Sequence, residues 1–248
     1  MASLSVRLAC RAIKAGIAIP GEAMLQKYAD NAFLADLLRR LRIDCVLDVG
    51  ANRGQFAERL RMTGYGGHIF SFEPMPTEFG LLEQAAAGDP RWHCYNSALG
   101  RSEEVKPFNV VGSGDATVYS SFLAPRAGAA MPSVGEAVAM TIKTLDRLFP
   151  EIEAKVGAGA RYFLKLDTQG FDLEVCGGAS ANLPRMLGIQ SEISVQPLYD
   201  AQPGYIESLA FYENLGFALM NLSVVNRTAI GGILEYDCLM VRPEAIAA

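Results

Sequence analysis

The chain has 248 residues, of which 50% are hydrophobic and 20% charged, with a formal net charge of −5. This length suits one α/β domain with a sizeable buried core. The acidic balance gives no broad attraction to phosphate backbones, so we do not expect a nucleic-acid partner. The cysteines are odd in number and lack C-x-x-C spacing, which indicates reduced cytosolic thiols and neither a disulfide framework nor a zinc site: Cys10, Cys45, Cys94, Cys176 and Cys238.

Residues 1–20 carry Arg7, Arg11 and Lys14 at helical spacing among apolar residues. The charges interrupt every apolar run before it could span a bilayer, and a signal peptide would place them ahead of an unbroken apolar block. The pattern predicts a basic amphipathic helix. We expect it to pack on its own domain, with a membrane surface or a partner as the alternative.

Apolar residues recur at three- and four-residue spacing over 24–41, which predicts a helix leading into the first strand. Strands and helices then alternate with short connections, the pattern of a parallel α/β sheet. The predicted elements are strands at 46–49, 69–72 and 92–95, with helices at 56–62 and 78–87.

The middle of the chain has a different pattern. A strand pair is predicted at 105–111 and 117–122, followed by a mobile loop over 124–135. Thr144 is the predicted N-cap of a short helix that Pro150 ends. The other predicted elements are strands at 139–142, 162–166, 187–191, 217–222 and 236–241, with helices at 145–149, 171–176 and 206–215.

The segment from Cys45 to Gly54 is a short apolar strand that runs into a glycine-flanked turn and then a helix. Gly50 can take backbone angles closed to side chains, so a ligand can lie against bare backbone N–H groups. Glu73 follows the next strand about 20 residues later, where a carboxylate can accept both hydroxyls of a ribose. Loop and acid together predict an adenosine-containing ligand.

The identity of that ligand is narrowed by what the loop lacks. Neither G-x-G-x-x-G nor G-x-x-x-x-G-K-[ST] is present, which disfavours a pyrophosphate group. Asp48 precedes Gly50 and can hold an ammonium group or support the loop. S-adenosylmethionine carries such an ammonium group, whereas a dinucleotide does not. A generic turn in a Rossmann-like sheet is the alternative.

Acidic residues stand at the ends of several predicted strands: Asp48, Glu73, Asp167 and Glu192. Ligands of open parallel sheets bind outside the carboxyl ends of the strands, so we expect these carboxylates to converge on one rim. Capping of the helix that begins near Gly170 is the alternative role for Asp167. His68 and His93 lie far from the carboxyl ends and are expected to be structural.

These residues resemble the FkbM-type S-adenosylmethionine-dependent methyltransferases from about Cys45 to Val241. The resemblance rests on Asp48-Val49-Gly50-Ala51-Asn52-Arg53-Gly54, Phe72-Glu73-Pro74, Asn96-Ser97-Ala98-Leu99-Gly100, Thr144-Leu145-Asp146, Leu164-Lys165-Leu166-Asp167 with Gly170, and Glu192. It implies an α/β, Rossmann-like class I methyltransferase fold, in which helices cover both faces of a seven-stranded, mostly parallel sheet with an antiparallel last strand. Residues 43–248 would form this domain, and residues 1–42 an N-terminal helical extension.

The resemblance also implies O-methylation of a hydroxyl on a sugar, glycolipid, polyketide or related metabolite. Asp167 and Glu192 are the expected catalytic residues. Phe72, Pro74 and Met75 are expected to flank the adenosine. The expected cofactor-binding residues are Asp48, Gly50, Ala51, Asn52, Gly54, Phe56, Glu73, Pro74, Asn96, Ser97, Ala98 and Asp167. Loop residues that could shape the acceptor pocket, or simply be polar loop positions, are Tyr119, Ser120, Ser121, Gln196 and Tyr199.

One departure concerns the turn after the fourth of these strands, where many relatives carry Asp-Val-Glu-Gly and this chain has Asp167-Thr168-Gln169-Gly170. An amide cannot act as a general base, so that role falls to Asp167, Asp172, Glu192 or a histidine. A hard cation held by Asp167, Gln169 and Glu192 is an alternative that we do not adopt. Two other functions stay open: a catalytically silent cofactor-binding assembly domain, which Gln169 favours, and an NAD-dependent oxidoreductase.

Overall fold

A computed structural model of the chain describes Lys14 and residues 22–112, 114–129 and 131–246. Apart from Lys14, the basic helix predicted over residues 1–20 lies outside this part of the chain, as does Cys10. The division at residue 42 stays a prediction. No helix in the described ranges combines the length and the apolarity needed to cross a bilayer.

Most helices and strands occur in the predicted order. The strands are β1 Cys45–Val49, β2 His68–Phe72, β3 Trp92–Tyr95, β4 Ala98–Leu99, β5 Glu104–Val111, β6 Val134–Lys143, β7 Tyr162–Leu166, β8 Met186–Ser194, β9 Ala218–Arg227 and β10 Ile233–Val241. The α-helices are α1 Glu22–Arg40, α2 Gln55–Met62, α3 Pro76–Ala86, α4 Leu145–Val156, α5 Asp172–Gly177, α6 Tyr205–Asn214 and α7 Pro243–Ile246. Short 3₁₀ helices cover Gly114–Tyr119 and Leu183–Arg185.

The main sheet has seven strands in the order β3-β2-β1-β7-β8-β10-β9. Strands β3, β2, β1, β7 and β8 are parallel, so their carboxyl ends share one edge. Strand β10 is antiparallel to both of its neighbours, β8 and β9. This arrangement confirms the predicted α/β fold with an antiparallel last strand.

Two apolar clusters occupy the two faces of the sheet. Consecutive strand residues point to opposite faces, so Val46 belongs to one cluster and Leu47 to the other. Helices α1, α2 and α3 cover the Val46 face, and α4, α5 and α6 cover the Leu47 face. Trp92, Cys45, Cys176 and Cys238 are buried and Cys94 is partly buried, with all four thiols unpaired.

The strand pair predicted in the middle of the chain is wrong in its second member. Strand β5 pairs with β6, antiparallel and across a long connection, in a small sheet of order β4-β6-β5. Residues 114–119 form a 3₁₀ helix, and Ser121 makes only an isolated bridge to Asn109. Side-chain hydrogen bonds hold this segment, because Ser120 Oγ accepts from the Val111 amide at 3.0 Å. The loop predicted over 124–135 gives way to β6 at Val134.

Helix α4 continues through Pro150, which the sequence pattern had placed at its end. Thr144 caps the helix as predicted, with its Oγ1 accepting from the Arg147 amide at 3.2 Å. The helix continues because its buried face does: Phe149 and Ile152 are both in the core. Packing of this apolar stripe outweighs the hydrogen bond that proline cannot make.

We therefore expect Ile152→Ala to destabilise the protein by about 2–5 kcal/mol, since a fully buried side chain is truncated. Denaturant unfolding would measure this loss. Lys155→Ala, on the exposed face of the same helix, is the control and should change stability by less than about 0.5 kcal/mol. Equal, small effects of both substitutions would mean that α4 ends at Pro150.

Candidate functional site

A crevice opens at the carboxyl ends of β1, β2 and β7. Segments of the small sheet and of the first 3₁₀ helix form its outer wall. Its lining residues are Gly50, Asn52, Glu73, Pro74, Met75, Leu99, Phe108, Thr117, Val118, Ser120, Phe122, Asp167, Thr168, Gln169 and Phe171. The crevice therefore lies where the sequence predicted a ligand, between the glycine turn and Glu73.

The glycine turn is as tight as predicted. Gly50 has a φ of +74°, and a Cβ placed on it would lie 1.9 Å from the carbonyl oxygen of Asp167. Only glycine allows both this angle and this approach. Gly50 thus fixes how closely the turn after β1 packs against the end of β7.

The backbone N–H groups of this turn are not bare, which corrects the prediction that a ligand would bind to them. The amides of Gly50 and Ala51 donate to the Phe72 carbonyl, and that of Gly54 donates to Ala51. The Asn52 amide donates to Glu73 Oε2 at 2.8 Å, and the Arg53 amide donates to the Gln55 side chain. The turn is a rigid wall of the crevice and offers no anion-binding nest.

Glu73 lies directly after β2 and faces the crevice, as predicted, with only 5% of its surface exposed. Its Oε2 accepts from Asn52, and its Oε1 accepts from the Met75 amide at 2.9 Å. Burial raises the pKa of Glu73 to about 7, although these two backbone donors act to lower it. Each oxygen keeps a second lone pair with which it can accept from a ligand hydroxyl.

Asp48 does not reach the crevice. It lies inside β1 and is fully buried, whereas a ligand-binding carboxylate was one of its two predicted roles. Its Oδ2 accepts from Ser71 Oγ at 3.1 Å, and Ser71 Oγ in turn accepts from Trp92 Nε1 at 3.0 Å. The structure therefore assigns Asp48 to support of the loop.

Lys165, to which the sequence pattern gave no role, supplies a buried cation beside the crevice. Its Nζ lies 3.1 Å from Asp48 Oδ1 and 3.4 Å from Asp167 Oδ2, and it donates to the Gly50 carbonyl at 3.1 Å. Burial alone would lower the pKa of Lys165, but the two carboxylates hold it above its usual range. A lysine in an otherwise apolar strand, Tyr162–Leu166, was the available signal, since a buried charge requires a partner.

Gln169 joins the two expected catalytic residues. Its Nε2 donates to Asp167 Oδ1 at 3.2 Å and to Glu192 Oε1 at 2.9 Å. Its Oε1 accepts from the Tyr199 hydroxyl at 3.2 Å, and its φ is +54°. The amide thus supplies donors to two neighbouring carboxylates, which a glutamate at this position could not do when ionised.

Glu192 lies within β8, since this strand extends to Ser194 and not to residue 191 as predicted. Burial raises the pKa of Glu192 well above its usual range, and the carboxylate of Asp167 adds to the shift. Asp167 is partly exposed and binds Lys165 and Gln169. The turn before α5 is instead held by Asp172, whose Oδ1 accepts from the Thr168 amide at 2.9 Å. The capping role considered for Asp167 is therefore wrong.

Several predicted cofactor-binding residues do not line the crevice. Asn96 Nδ2 donates to the carbonyls of Glu73 and Pro74, at 2.9 and 3.1 Å, and so holds the Glu73 turn. Ser97 and Ala98 are buried and do not line the crevice. Phe56 is buried and covers Lys165, with the ammonium 5.4 Å from its ring centroid.

The loop residues expected near an acceptor are placed in different ways. Ser120 lines the crevice, whereas Ser121 and Tyr199 are buried in the wall. Gln196 donates to the Ile233 carbonyl. The two histidines stack on each other away from the crevice, with His68 Nδ1 3.2 Å from His93 Nε2. Among the described residues, no group of three or more histidine, cysteine or acidic side chains is arranged to hold a metal ion.

A family model described as the methyltransferase FkbM domain matches residues 48–219. The chain therefore belongs to the FkbM methyltransferase family and is an S-adenosylmethionine-dependent methyltransferase. A search of curated proteins gave no match.

Solved methyltransferase structures match the chain at low sequence identity. Magnesium protoporphyrin IX methyltransferase from Synechocystis PCC 6803, solved with bound S-adenosylmethionine, has a TM-score of 0.49 and 10% identity over 88% of this chain and 80% of that one. For the 1,6-didemethyltoxoflavin-N1-methyltransferase of Burkholderia thailandensis the values are 0.45 and 13%, over 98% and 91%. For an rRNA methylase from Streptococcus thermophilus they are 0.42 and 12%, over 86% and 94%.

We expect Lys165→Met to destabilise the protein by about 3–5 kcal/mol, because it leaves the buried carboxylate of Asp48 without its cation. The double variant Asp48→Asn/Lys165→Met should recover part of this loss. Denaturant unfolding would measure both, with Lys143→Met on exposed β6 as the control. Equal stability of Lys165→Met and the wild type would contradict the role assigned to the ion pair.

The raised pKa of Glu73 predicts a specific pH dependence of stability. In the unfolded chain this carboxyl ionises near 4.5, and in the folded protein near 7. Between these values the folded state binds more protons, so the contribution of Glu73 to stability falls as the pH rises. The stability of Glu73→Gln relative to the wild type should therefore rise over this window, by at most about 1.4 kcal/mol per pH unit. A difference independent of pH in denaturant unfolding would show that the pKa of Glu73 is not raised.

Proposed function

We propose that this methyltransferase acts on a hydroxyl oxygen of a sugar, glycolipid, polyketide or related hydroxylated metabolite. The carboxylates of Asp167 and Glu192, joined through Gln169, support an acceptor that must lose a proton. The hydrogen-bonding character of the crevice supports the cofactor. The amides of the glycine turn are all paired within the protein, and the ionisable groups lining the crevice are the carboxyls of Glu73 and Asp167. Such a site suits a cationic ligand that also carries hydroxyl groups.

The residues present fit S-adenosylmethionine. Glu73 would accept from the ribose hydroxyls, with Pro74 and Met75 beside the adenosine. Gly50 and Asn52 would lie along the methionine portion, and the partly exposed carboxylate of Asp167 would face its positive charge. A nicotinamide dinucleotide fits poorly, because its pyrophosphate needs the free amide donors that this turn lacks.

S-adenosylmethionine supplies an activated methyl group, so the protein must mainly align the acceptor oxygen and remove its proton. Asp167 and Glu192, joined through Gln169, are the carboxylates available for that proton. Burial and the neighbouring carboxylate of Asp167 raise the pKa of Glu192, so its ionised form is a stronger base than that of an exposed glutamate. We therefore assign Glu192 as the general base, and we assign Asp167 to the positioning of the methyl donor.

The acceptor would be a small molecule or a glycan and not a nucleic acid, in keeping with the net charge of −5. The unpaired thiols of Cys45, Cys94, Cys176 and Cys238 support a cytosolic location. Contact of residues 1–20 with a membrane surface is part of the proposal only for a glycolipid acceptor.

The experiment has two stages. Calorimetric titration should show binding of S-adenosylmethionine and no binding of NADH. Release of S-adenosylhomocysteine is then measured with a panel of monosaccharides, oligosaccharides, glycolipids and hydroxylated polyketides, alongside amines and carboxylic acids. We expect turnover with a hydroxylated compound, and Glu192→Gln should lower its kcat by about 10²–10⁴-fold without changing cofactor affinity.

Glu207→Gln, on the exposed surface of α6, is the matched control and should leave turnover unchanged. Transfer to an amine or a carboxylic acid but to no hydroxyl would overturn the proposed acceptor class. Cofactor binding without any transfer would indicate the silent assembly domain, and binding of NADH the oxidoreductase.

A further inference from the structure

Part of the sheet that α1 covers is polar where a covered sheet face is normally apolar. The strand register places side chains of β8, β10 and β9 in rows that share this face. The rows are Gln190, Leu239 and Asn221; then Glu192, Asp237 and Ser223; then Ser194, Glu235 and Asn226. Every position except that of Leu239 carries a polar side chain.

Polar groups beneath a helix are costly unless they are hydrogen-bonded, so an apolar face would be the more stable choice. The same face is apolar nearer the amino ends of the parallel strands, where Phe163 and Val241 pack in the core. Some of the polar groups bind one another, as when Asn226 Nδ2 donates to Glu235 Oε2 at 2.7 Å. Asn221 Nδ2 donates to Ser223 Oγ at 3.0 Å, and Ser223 Oγ donates to Asp30 Oδ1 of α1 at 2.7 Å. The hydroxyl of Ser194 is buried and has no hydrogen-bond partner among the described residues. This face therefore meets α1 through polar contacts and not through apolar packing.

A groove lies between α1 and these rows, beside the hydrogen bond from Ser223 Oγ to Asp30 Oδ1. Its floor includes Gln190, Asn221, Ser223 and Asp237, its walls include the rings of Phe33 and Phe56, and the exposed cations Lys27 and Arg59 stand at its rim. Amides and hydroxyls can both donate to and accept from sugar hydroxyls, and carboxylates accept from them. Aromatic rings suit the apolar C–H faces of a sugar ring.

The groove lies beside residues assigned to the reaction. Glu192 pairs across the strands with Asp237, which lines the groove, and it accepts from Gln169, which also binds Asp167 in the crevice. Phe56 forms part of the groove and also covers Lys165. The polar rows thus lead from beneath α1 to the carboxylate that would take the proton.

We propose that this groove binds the sugar portion of the acceptor and delivers one of its hydroxyls to Glu192. The inference rests on the proposed function and narrows its substrate class to neutral, polyhydroxylated molecules. An aliphatic polyketide chain would leave the polar floor unpaired. A phosphorylated sugar would meet the carboxylate of Asp237 in the groove.

The test fills the groove and uses the opposite face of the same strand as its control. Ser223→Trp places a bulky ring on the floor, whereas Leu222→Trp places the same ring on the other side of β9. Asn221→Leu keeps the size of the side chain but removes its hydrogen-bonding groups, and serves if Ser223→Trp does not fold. For the sugar that is methylated, we expect Ser223→Trp or Asn221→Leu to raise KM about tenfold or more, since buried polar contacts are lost. Leu222→Trp should leave KM unchanged, and all three variants should bind S-adenosylhomocysteine normally.

Saturation-transfer NMR on the protein loaded with S-adenosylhomocysteine, using the saccharides of the same panel as probes, separates this inference from the proposed function. Sugar binding that Ser223→Trp abolishes, in the absence of methyl transfer, would support the groove and overturn the proposed reaction. Methyl transfer to a sugar with KM unchanged in the groove variants would support the reaction and overturn the groove. No saturation transfer to any saccharide and no methylated sugar would overturn the groove as a sugar site.

Discussion

The site depends on the interactions of the buried ammonium group of Lys165. This group neutralises Asp48, binds the carbonyl of Gly50 and lies beside Asp167, so it ties the turn after β1 to the end of β7. Burying any of these charges alone would be unfavourable, and their mutual pairing offsets that cost. The close approach of Gly50 to the Asp167 backbone adds a steric constraint at the same point. Together they hold the crevice open between two strands that are far apart in the chain.

The electrostatics of the crevice follow from this arrangement. With the turn amides and Lys165 paired inside the protein, carboxylate oxygens are left to meet a ligand. A phosphate-binding Rossmann site uses the same kind of turn differently, because its backbone amides are free and point at an anion. Gln169 connects the carboxylates of Asp167 and Glu192, because its amide donates to both. It does so without adding a further charge. The glutamine that replaces the relatives' glutamate therefore has a structural role and is compatible with catalysis.

The features that depend on local chain order could be predicted from the sequence. Gly50, Glu73 and Asp167 could be predicted because each stands at the end of an apolar strand, and the alternation of elements indicated a parallel sheet. The ion pair between Asp48 and Lys165 could not be predicted, since it depends on β1 lying beside β7. The prediction of the strand that pairs with β5 was wrong for a similar reason, because β6 follows only after a long connection.

A crystal structure of the protein with S-adenosylhomocysteine tests the central claim most directly. The ligand should lie in the crevice, with its ribose hydroxyls within hydrogen-bonding distance of Glu73 and its sulfur on the side of Asp167 and Gln169. Lys165 should keep its contacts with Asp48 and the Gly50 carbonyl. A ligand bound outside the crevice, or a Glu73 carboxyl turned away from the ribose, would contradict the cofactor site proposed here.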